Sequence, residues 1–404
     1  MRGVDVAIIG AGQAGLATSW YLSQAKVDHV VLEAGRVAET WRTRRWDSFC
    51  LVTPNWSVQL PGAPYDAPDP DGFMPLAKLV DYVQAWADSF DAPVEASCRV
   101  SALEADNSGF LLSLPSGKLK ARSVVVASGA YQKPHRPAGA ESIPNDVVQL
   151  FAEEYSNPEA LPRGAVVVIG SGQTGCQLAE EIHESGRKVF LACGRCIWVP
   201  RRLDGGDIFG WLIKSGFMDR GPDKLPSPMA RLLGNPQLTG DDGGRDLNFR
   251  VLYDIGVELV GRYVGADGWS MQFADDVAAS VDFGDARLAD LMKFIKDYCT
   301  RASVAAPRFD MPPPLRIKTR TELDLQKDEI GAVIWTSGYR PDYGWVKFPV
   351  VDDMGFPVQT DGRTNVPGLY FMGVHWLRKN KSSILYGVGE DAEIVARQIV
   401  EARA

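Results

Sequence analysis

The chain has 404 residues, a net charge of −8, 45% hydrophobic and 23% charged residues. That length exceeds one ordinary core, so two domains are expected. The acidic balance, with no basic block, excludes nucleic acid and anionic membrane as principal partners, and no apolar run approaches the roughly eighteen residues of a membrane span.

The fold already begins at Val4, so no signal peptide is expected and a cytoplasmic protein follows. The six cysteines are scattered and read as free thiols; no metal is expected. Val4 to Ile9 is a short β-branched run, the pattern of a buried parallel strand. Gly10-Ala11-Gly12-Gln13-Ala14-Gly15 follows, then a helix over Leu16 to Gln24, then a strand from His29 ending at Glu33. In this dinucleotide fingerprint Gly10 makes the tight turn, Gly12 lets a pyrophosphate approach, and Gly15 packs the helix against the strand. The helix N-terminus offers free N–H groups and a positive dipole end to that pyrophosphate. Glu33 is placed for ribose hydroxyls.

Arg36 to Leu60 is polar, irregular and Trp-rich, of a kind that runs over a cofactor. Leu76 to Ala87 has helical apolar spacing, and Val94 to Leu114 gives short strands with a turn at 107–109. Ser123 to Ala127 is another buried strand. The opening pattern then repeats: strand Ala165 to Ile169, fingerprint Gly170-Ser171-Gly172-Gln173-Thr174-Gly175, helix to Ser185, strand to Ala192. Cys193 stands as far from Gly170 as Glu33 does from Gly10, and Gly194-Arg195 follow. A carboxylate there favours a free 2′-hydroxyl and an arginine a 2′-phosphate, so the first unit fits FAD and the second NADPH. Arg195 is the first candidate clamp, with Arg201 and Arg202 as substitutes; each reads equally well as a solvated surface charge. Cys193 and Cys196 form a CxxC, but at the adenosine end of the unit, far from any flavin ring.

The apolar residues of about 197–248 read equally as core or as an access path for an apolar substrate. Leu247 to Val260 suggests a helix and a strand, and Leu288 to Ala302 a helix. Met311-Pro312-Pro313-Pro314 is expected to mark the return to the first domain. Ala332 to Pro341 echoes the strand end at Val124 to Gly129. The last strand is Gly368 to Gly373, and the closing helix runs from about Gly387 to Arg403.

The sequences GAGQAG, RWDSFCLVTPN, ASGAYQKP, GSGQTG, WTSGYRPDY and PGLYFMGVHW, in this order and spacing, resemble flavin-containing monooxygenases, within the class B flavoprotein monooxygenases. The resemblance implies an α/β fold of two Rossmann-like dinucleotide-binding domains. The FAD domain is made from 1–160 and 310–404, and the NADPH domain, 161–309, is inserted between. It implies NADPH-dependent oxygenation of a small apolar or aromatic substrate by O₂ through a flavin C4a-hydroperoxide, in a homodimer. Carried over residue by residue, Gly10, Gly12, Gly15, Glu33, Trp41 and Arg42 match the FAD site. Gly170, Gly172, Gln173, Gly175 and Arg195 match the NADPH site. Asn55 resembles the asparagine near the oxygen adduct, where a neutral amide donates to a peroxide without protonating it. His375, after the last strand, is placed near the flavin. The family signature expects a histidine where Phe151 stands, although Tyr155 fits its terminal aromatic. Two other readings compete: an NADPH oxidase or disulfide-type reductase, which lacks a cysteine pair near the flavin, and a non-catalytic FAD-binding sensor.

Overall fold

The computed structural model describes residues 2–107, 109–233 and 235–403. Ser108, in the expected turn at 107–109, lies outside them. The first sheet is built around Arg2–Ile9, whose inner half is fully buried, as its β-branched sequence requires. It pairs in parallel with His29–Leu32 on one side and Gly117–Val126 on the other. Val94–Glu95 extends the first edge. Gly117–Val126 is long enough to serve two partners. Its first half pairs antiparallel with Gly109–Leu114, which continues to Ala102–Asp106. Its second half takes Leu369–Phe371 in parallel. The chain's C-terminal part therefore returns to the first sheet, and the closing helix Val388–Glu401 packs beside Gln13–Gln24.

The second sheet has five parallel strands centred on Ala165–Ile169. Val189–Ala192 and Glu258–Val260 lie to one side, Ile330–Trp335 and Val148–Phe151 to the other. This moves the boundaries expected from sequence. Val148–Phe151 and Ile330–Trp335 pair within the second sheet, so neither the Met311–Pro314 stretch nor residue 310 is the return crossing. The chain crosses out at 127–148 and back after Trp335. A two-strand ribbon, Lys133–Pro134 against Tyr339–Arg340, joins the two crossings.

Buried residues cover both faces of the second sheet. Among the described residues, the 197–248 segment has one α-helix, Ile208–Lys214, and several short 3₁₀ turns. Its buried residues Trp198, Phe209, Leu212 and Met218 pack on Leu288, Leu291 and Ile295 of a 26-residue helix, Val277–Ala302. They are core. The half-buried edge of that cluster, with Trp56, Ile384 and Tyr386, belongs to the first domain. Trp46 reverses the loan: it comes from the first domain's irregular segment and is buried in the core of the second.

Candidate functional site: two cradles and a shared aromatic cleft

The two glycine-rich turns are alike in detail. Gly10 and Gly170 have φ of +111° and +110°, in the region that favours glycine. A Cβ on Gly15 would fall 1.9 Å from the Gly10 carbonyl oxygen, and one on Gly175 equally close to that of Gly170. Gly12 and Gly172 differ from these. A Cβ there would meet nothing within 4 Å. Each N-caps its helix without a side-chain hydrogen bond, and neither helix has an acid in its first turn. Two uncapped N-termini facing open space are suited to a pyrophosphate, so the residues present fit two dinucleotides.

Glu33 accepts hydrogen bonds from the N–H groups of Ala11 (2.7 Å) and Gly35 (2.8 Å). It clamps the loop while keeping lone pairs for a ribose. Cys193 occupies the matching place in the second unit and is fully buried. The clamp there runs in the opposite sense: Ser171 Oγ accepts from Gly194 N–H at 2.8 Å. Arg195 is exposed beside it, its guanidinium 5.9 Å from the centre of the Phe283 ring. Neither substitute clamp is placed for the task. Arg201 is 1% exposed and ion-paired to Asp207 at 2.5 Å; it also donates to the carbonyls of Val52 and Thr239. Arg202 is exposed but turned toward Asp207 and Gly243. All six cysteines are free thiols, and burial pushes the Cys196 thiol up to about 11.

A glutamine follows the second glycine in both fingerprints, and each ties down a distant loop. Gln13 Nε2 donates to the Ser383 carbonyl (3.2 Å), and Gln173 Nε2 to that of Pro236 (3.0 Å). From Gln13 a run of contacts joins side chains of several segments into one wall. The Trp41 indole N–H donates to Gln13 Oε1 at 3.2 Å. Ser383 Oγ shares a 2.8 Å hydrogen bond with His375 Nδ1. The His375 ring meets Tyr131 edge-on at 4.9 Å, and Tyr131 lies 5.2 Å from Tyr339 on the crossing ribbon. Burial pushes the His375 imidazole down to about 4, so it is neutral at pH 7. Arg42 is turned away: it donates to the Val37 carbonyl and Gln84. It supports the segment rather than facing the cleft.

Asn55 is 5% exposed, in the short turn Asn55–Ser57. Its Nδ2 donates to the Asp69 carbonyl at 2.9 Å, and its Oδ1 is buried without a partner. The donor atom that the expected role requires is thus engaged, and the free atom is an acceptor; a half-turn of the amide exchanges them. Asn55 and His375 share no hydrogen bond. The ring of Trp56, next to Asn55, lies 6.5 Å from that of Tyr386, in the loop that also carries Ser383. Phe151 ends its strand beneath the Arg136 guanidinium, 4.6 Å away, and offers no ionisable group.

Sequence reading passed over Gln13, Arg45, Tyr131, Ser383 and the buried role of Arg201. The repeated glutamine after the second glycine was the one local signal among them.

Comparison with known proteins supports this fold. A family model described as "Pyridine nucleotide-disulphide oxidoreductase" matches residues 7–201. The chain is 30% identical to an uncharacterized oxidoreductase CzcO-like of Geobacillus kaustophilus, over 98% of each chain. It is 27% identical to indole-3-pyruvate monooxygenase YUCCA4 of Oryza sativa, over 51% of this chain and 52% of that one. Among solved structures, a flavin-containing monooxygenase from Stenotrophomonas maltophilia superposes with a TM-score of 0.68 at 21% identity, covering both chains in full. OTEMO in complex with FAD and NADP gives 0.58 at 16% identity, covering 99% of this chain and 86% of that one.

Proposed function

The chain belongs to the CzcO-like oxidoreductases, and on that footing we propose that it is a flavoprotein of the class B, flavin-containing monooxygenase type, an NADPH-dependent FAD monooxygenase of small apolar or aromatic molecules. The overall reaction is substrate + O₂ + NADPH + H⁺ giving oxygenated substrate, water and NADP⁺. Bound FAD supplies the electron transfer from NADPH and the activation of O₂.

The chain's own residues do the rest. The N–H groups after Gly12 hold one pyrophosphate and those after Gly172 the other, while Gly15 and Gly175 keep each helix close to its strand. Glu33 takes the FAD ribose, and Arg195 the 2′-phosphate of NADPH, where Cys193 leaves no carboxylate to repel it. Trp41 and Gln13 fix the segment that covers the FAD site, and Gln173 anchors the strap over the NADPH site. Neutral His375, held by Ser383, offers a hydrogen-bonding ring without a charge. Asn55 contributes an uncharged amide. Tyr131, Tyr339, Trp56 and Tyr386 offer aromatic faces to an apolar substrate. A homodimer accompanies this reading as the resemblance implies it, and a cytoplasmic location as the sequence leads one to expect.

The observation that carries the proposal is the duplicated open cradle, acid-clamped in one copy and flanked by an arginine in the other. Anaerobic reduction by NADPH followed by rapid mixing with O₂ tests it. The expected result is a transient band at shorter wavelength than oxidised flavin, the signature of the C4a-hydroperoxide. Direct return to oxidised flavin, with one peroxide released per NADPH with and without aromatic substrates present, would reassign the protein as an oxidase. No reduction by NADPH would leave the sensor reading.

A further inference from the structure

In the reading above every anionic group of the two cofactors already has a partner. The pyrophosphates have the two helix N-termini, and the 2′-phosphate has Arg195. One cation in the cleft is then surplus. Arg45 is half-buried, with its guanidinium 5.0 Å from the centre of the Trp41 ring and 5.5 Å from that of Phe49. Of its five N–H donors, one is used on protein among the described residues, toward the carbonyl of Arg44 at 2.7 Å. Among the described residues it makes no ion pair, whereas its neighbour Arg44 holds Glu153 at 3.3 Å. Burial lowers its pKa, and the nearest charged or titratable groups are Tyr131, Tyr339, Arg44 and Glu153. None of these is an unengaged carboxylate.

The position is a junction. Trp41, which Arg45 covers, is tied to the first fingerprint through Gln13. Trp46, the next residue, is buried in the second domain's core. Asp47 N–H donates to the Ser156 carbonyl, and Ser48 Oγ to Glu181, so the segment is held from both domains. Tyr131 closes the same space, with its hydroxyl 3.4 Å from Asn235 Nδ2. A fork of free donors among aromatic faces, held rigidly at the meeting place of two domains, costs desolvation unless an anion completes it.

We propose that Arg45 is the anion-binding residue of the substrate pocket, so that the substrates are aromatic or apolar molecules bearing a carboxylate. The carboxylate takes the guanidinium fork, and the apolar body lies against Trp41, Phe49 and Tyr131. This deepens the monooxygenase reading and rests on it for the identity of the pocket.

The test uses the oxidised holoenzyme without NADPH, with flavin difference absorbance as the readout, so its outcome does not depend on oxygen chemistry. Phenylacetate and 2-phenylethanol are titrated as a matched acid and alcohol. In the wild type, phenylacetate should give a saturable signal at lower Kd than the alcohol. Arg45→Gln should raise the phenylacetate Kd by about ten-fold or more and leave that of 2-phenylethanol in place. Arg45→Lys, which keeps the charge but not the fork, should fall between. Absence of a phenylacetate signal in the wild type, equal affinity for acid and alcohol, or an Arg45→Gln variant with unchanged phenylacetate Kd would each overturn the proposal. Retained FAD and the anaerobic NADPH concentration dependence are measured on the same variants. A loss there, in place of the loss in acid binding, would assign Arg45 to a cofactor and equally overturn it.

Discussion

Alanine at the middle glycine of each fingerprint should separate folding from cofactor binding. Gly12 and Gly172 have φ of −83° and −64°, which alanine adopts freely, and an added methyl group meets nothing within 4 Å. Loss of unfolded-chain entropy favours alanine by about 0.4–1 kcal/mol. Its poorer N-cap character costs a similar amount, about 0.5–1 kcal/mol. The two offset, so apo stability should hardly change. The methyl group does occupy the space assigned to a pyrophosphate. A ten-fold loss of affinity removes about 1.4 kcal/mol of ligand stabilisation, or about 3–6 °C in Tm for a domain of this size. Gly15→Ala and Gly175→Ala are the contrast. Their methyl groups would lie 1.9 Å from a backbone oxygen, and the overpacking should cost about 1–3 kcal/mol or more with no ligand present. Thermal unfolding of the apo protein, alone and with saturating FAD or NADP⁺, reads all four variants. Gly12→Ala should lose most of the FAD shift and keep that of NADP⁺; Gly172→Ala should do the reverse. An undiminished FAD shift in Gly12→Ala, or an apo melting point as low as that of Gly15→Ala, would refute the reasoning.

Arg195→Gln should raise the KM for NADPH by about ten-fold or more, with little change for NADH, because only the former carries the 2′-phosphate; equal effects on both would remove Arg195 from the site. Burial holds the Glu181 carboxyl at about 7 against an ordinary 4.5. The folded protein therefore keeps a proton that the unfolded chain releases in that window, and this group's contribution to stability falls as pH rises from about 4.5 to 7. Glu181→Gln should flatten the profile of Tm against pH there and gain most over the wild type above pH 7; a profile parallel to the wild type would count against it. Arg201→Met leaves Asp207 buried without its counter-charge and should cost about 3–5 kcal/mol in urea unfolding. Adding Asp207→Leu should restore most of that, and no restoration would place the loss in the Val52 and Thr239 contacts.

The sequence made visible what local chemistry fixes. Val166 to Ile169 is β-branched and ends at a glycine, and both the strand and the turn follow from neighbours a few residues away. The helices at 76–89, 249–255 and 388–401 also follow from spacing and punctuation. Sheet membership is different. Ile330–Trp335 has the composition of a buried strand in either domain, and only its pairing with Ala165–Ile169 decides between them. The same limit hid Arg201. An arginine next to another arginine reads as a solvated pair until Asp207 closes on one of them in the interior. The helix expected over 288–302 begins eleven residues earlier, at Val277, where alanine, serine and glycine blur the apolar stripe.

The cleft was hardest to read because no single stretch of sequence contains it. Its wall takes Gln13 from a helix start, Trp41 and Arg45 from the irregular segment, and Tyr131 and Tyr339 from the two crossings. His375 and Ser383 come from the loop after the last strand. Each lies beyond the carboxyl end of a strand or on a link between sheets, where backbone geometry leaves side chains free to converge. The assignment of two strands to the second sheet sharpens this point. Because Val148–Phe151 and Ile330–Trp335 both pair with the second domain, the chain must pass between the sheets on either side of them, at 127–148 and after Trp335. Those passages carry Tyr131 and Tyr339 and are zipped together by the ribbon Lys133–Pro134 with Tyr339–Arg340. Arg45 stands at the same junction, tied to the first fingerprint through Trp41 and Gln13 and to the second domain through Trp46, which is buried in that core. Tyr131, Tyr339 and Arg45 thus all stand on segments anchored in both domains, which is why no single stretch of sequence discloses the wall they form.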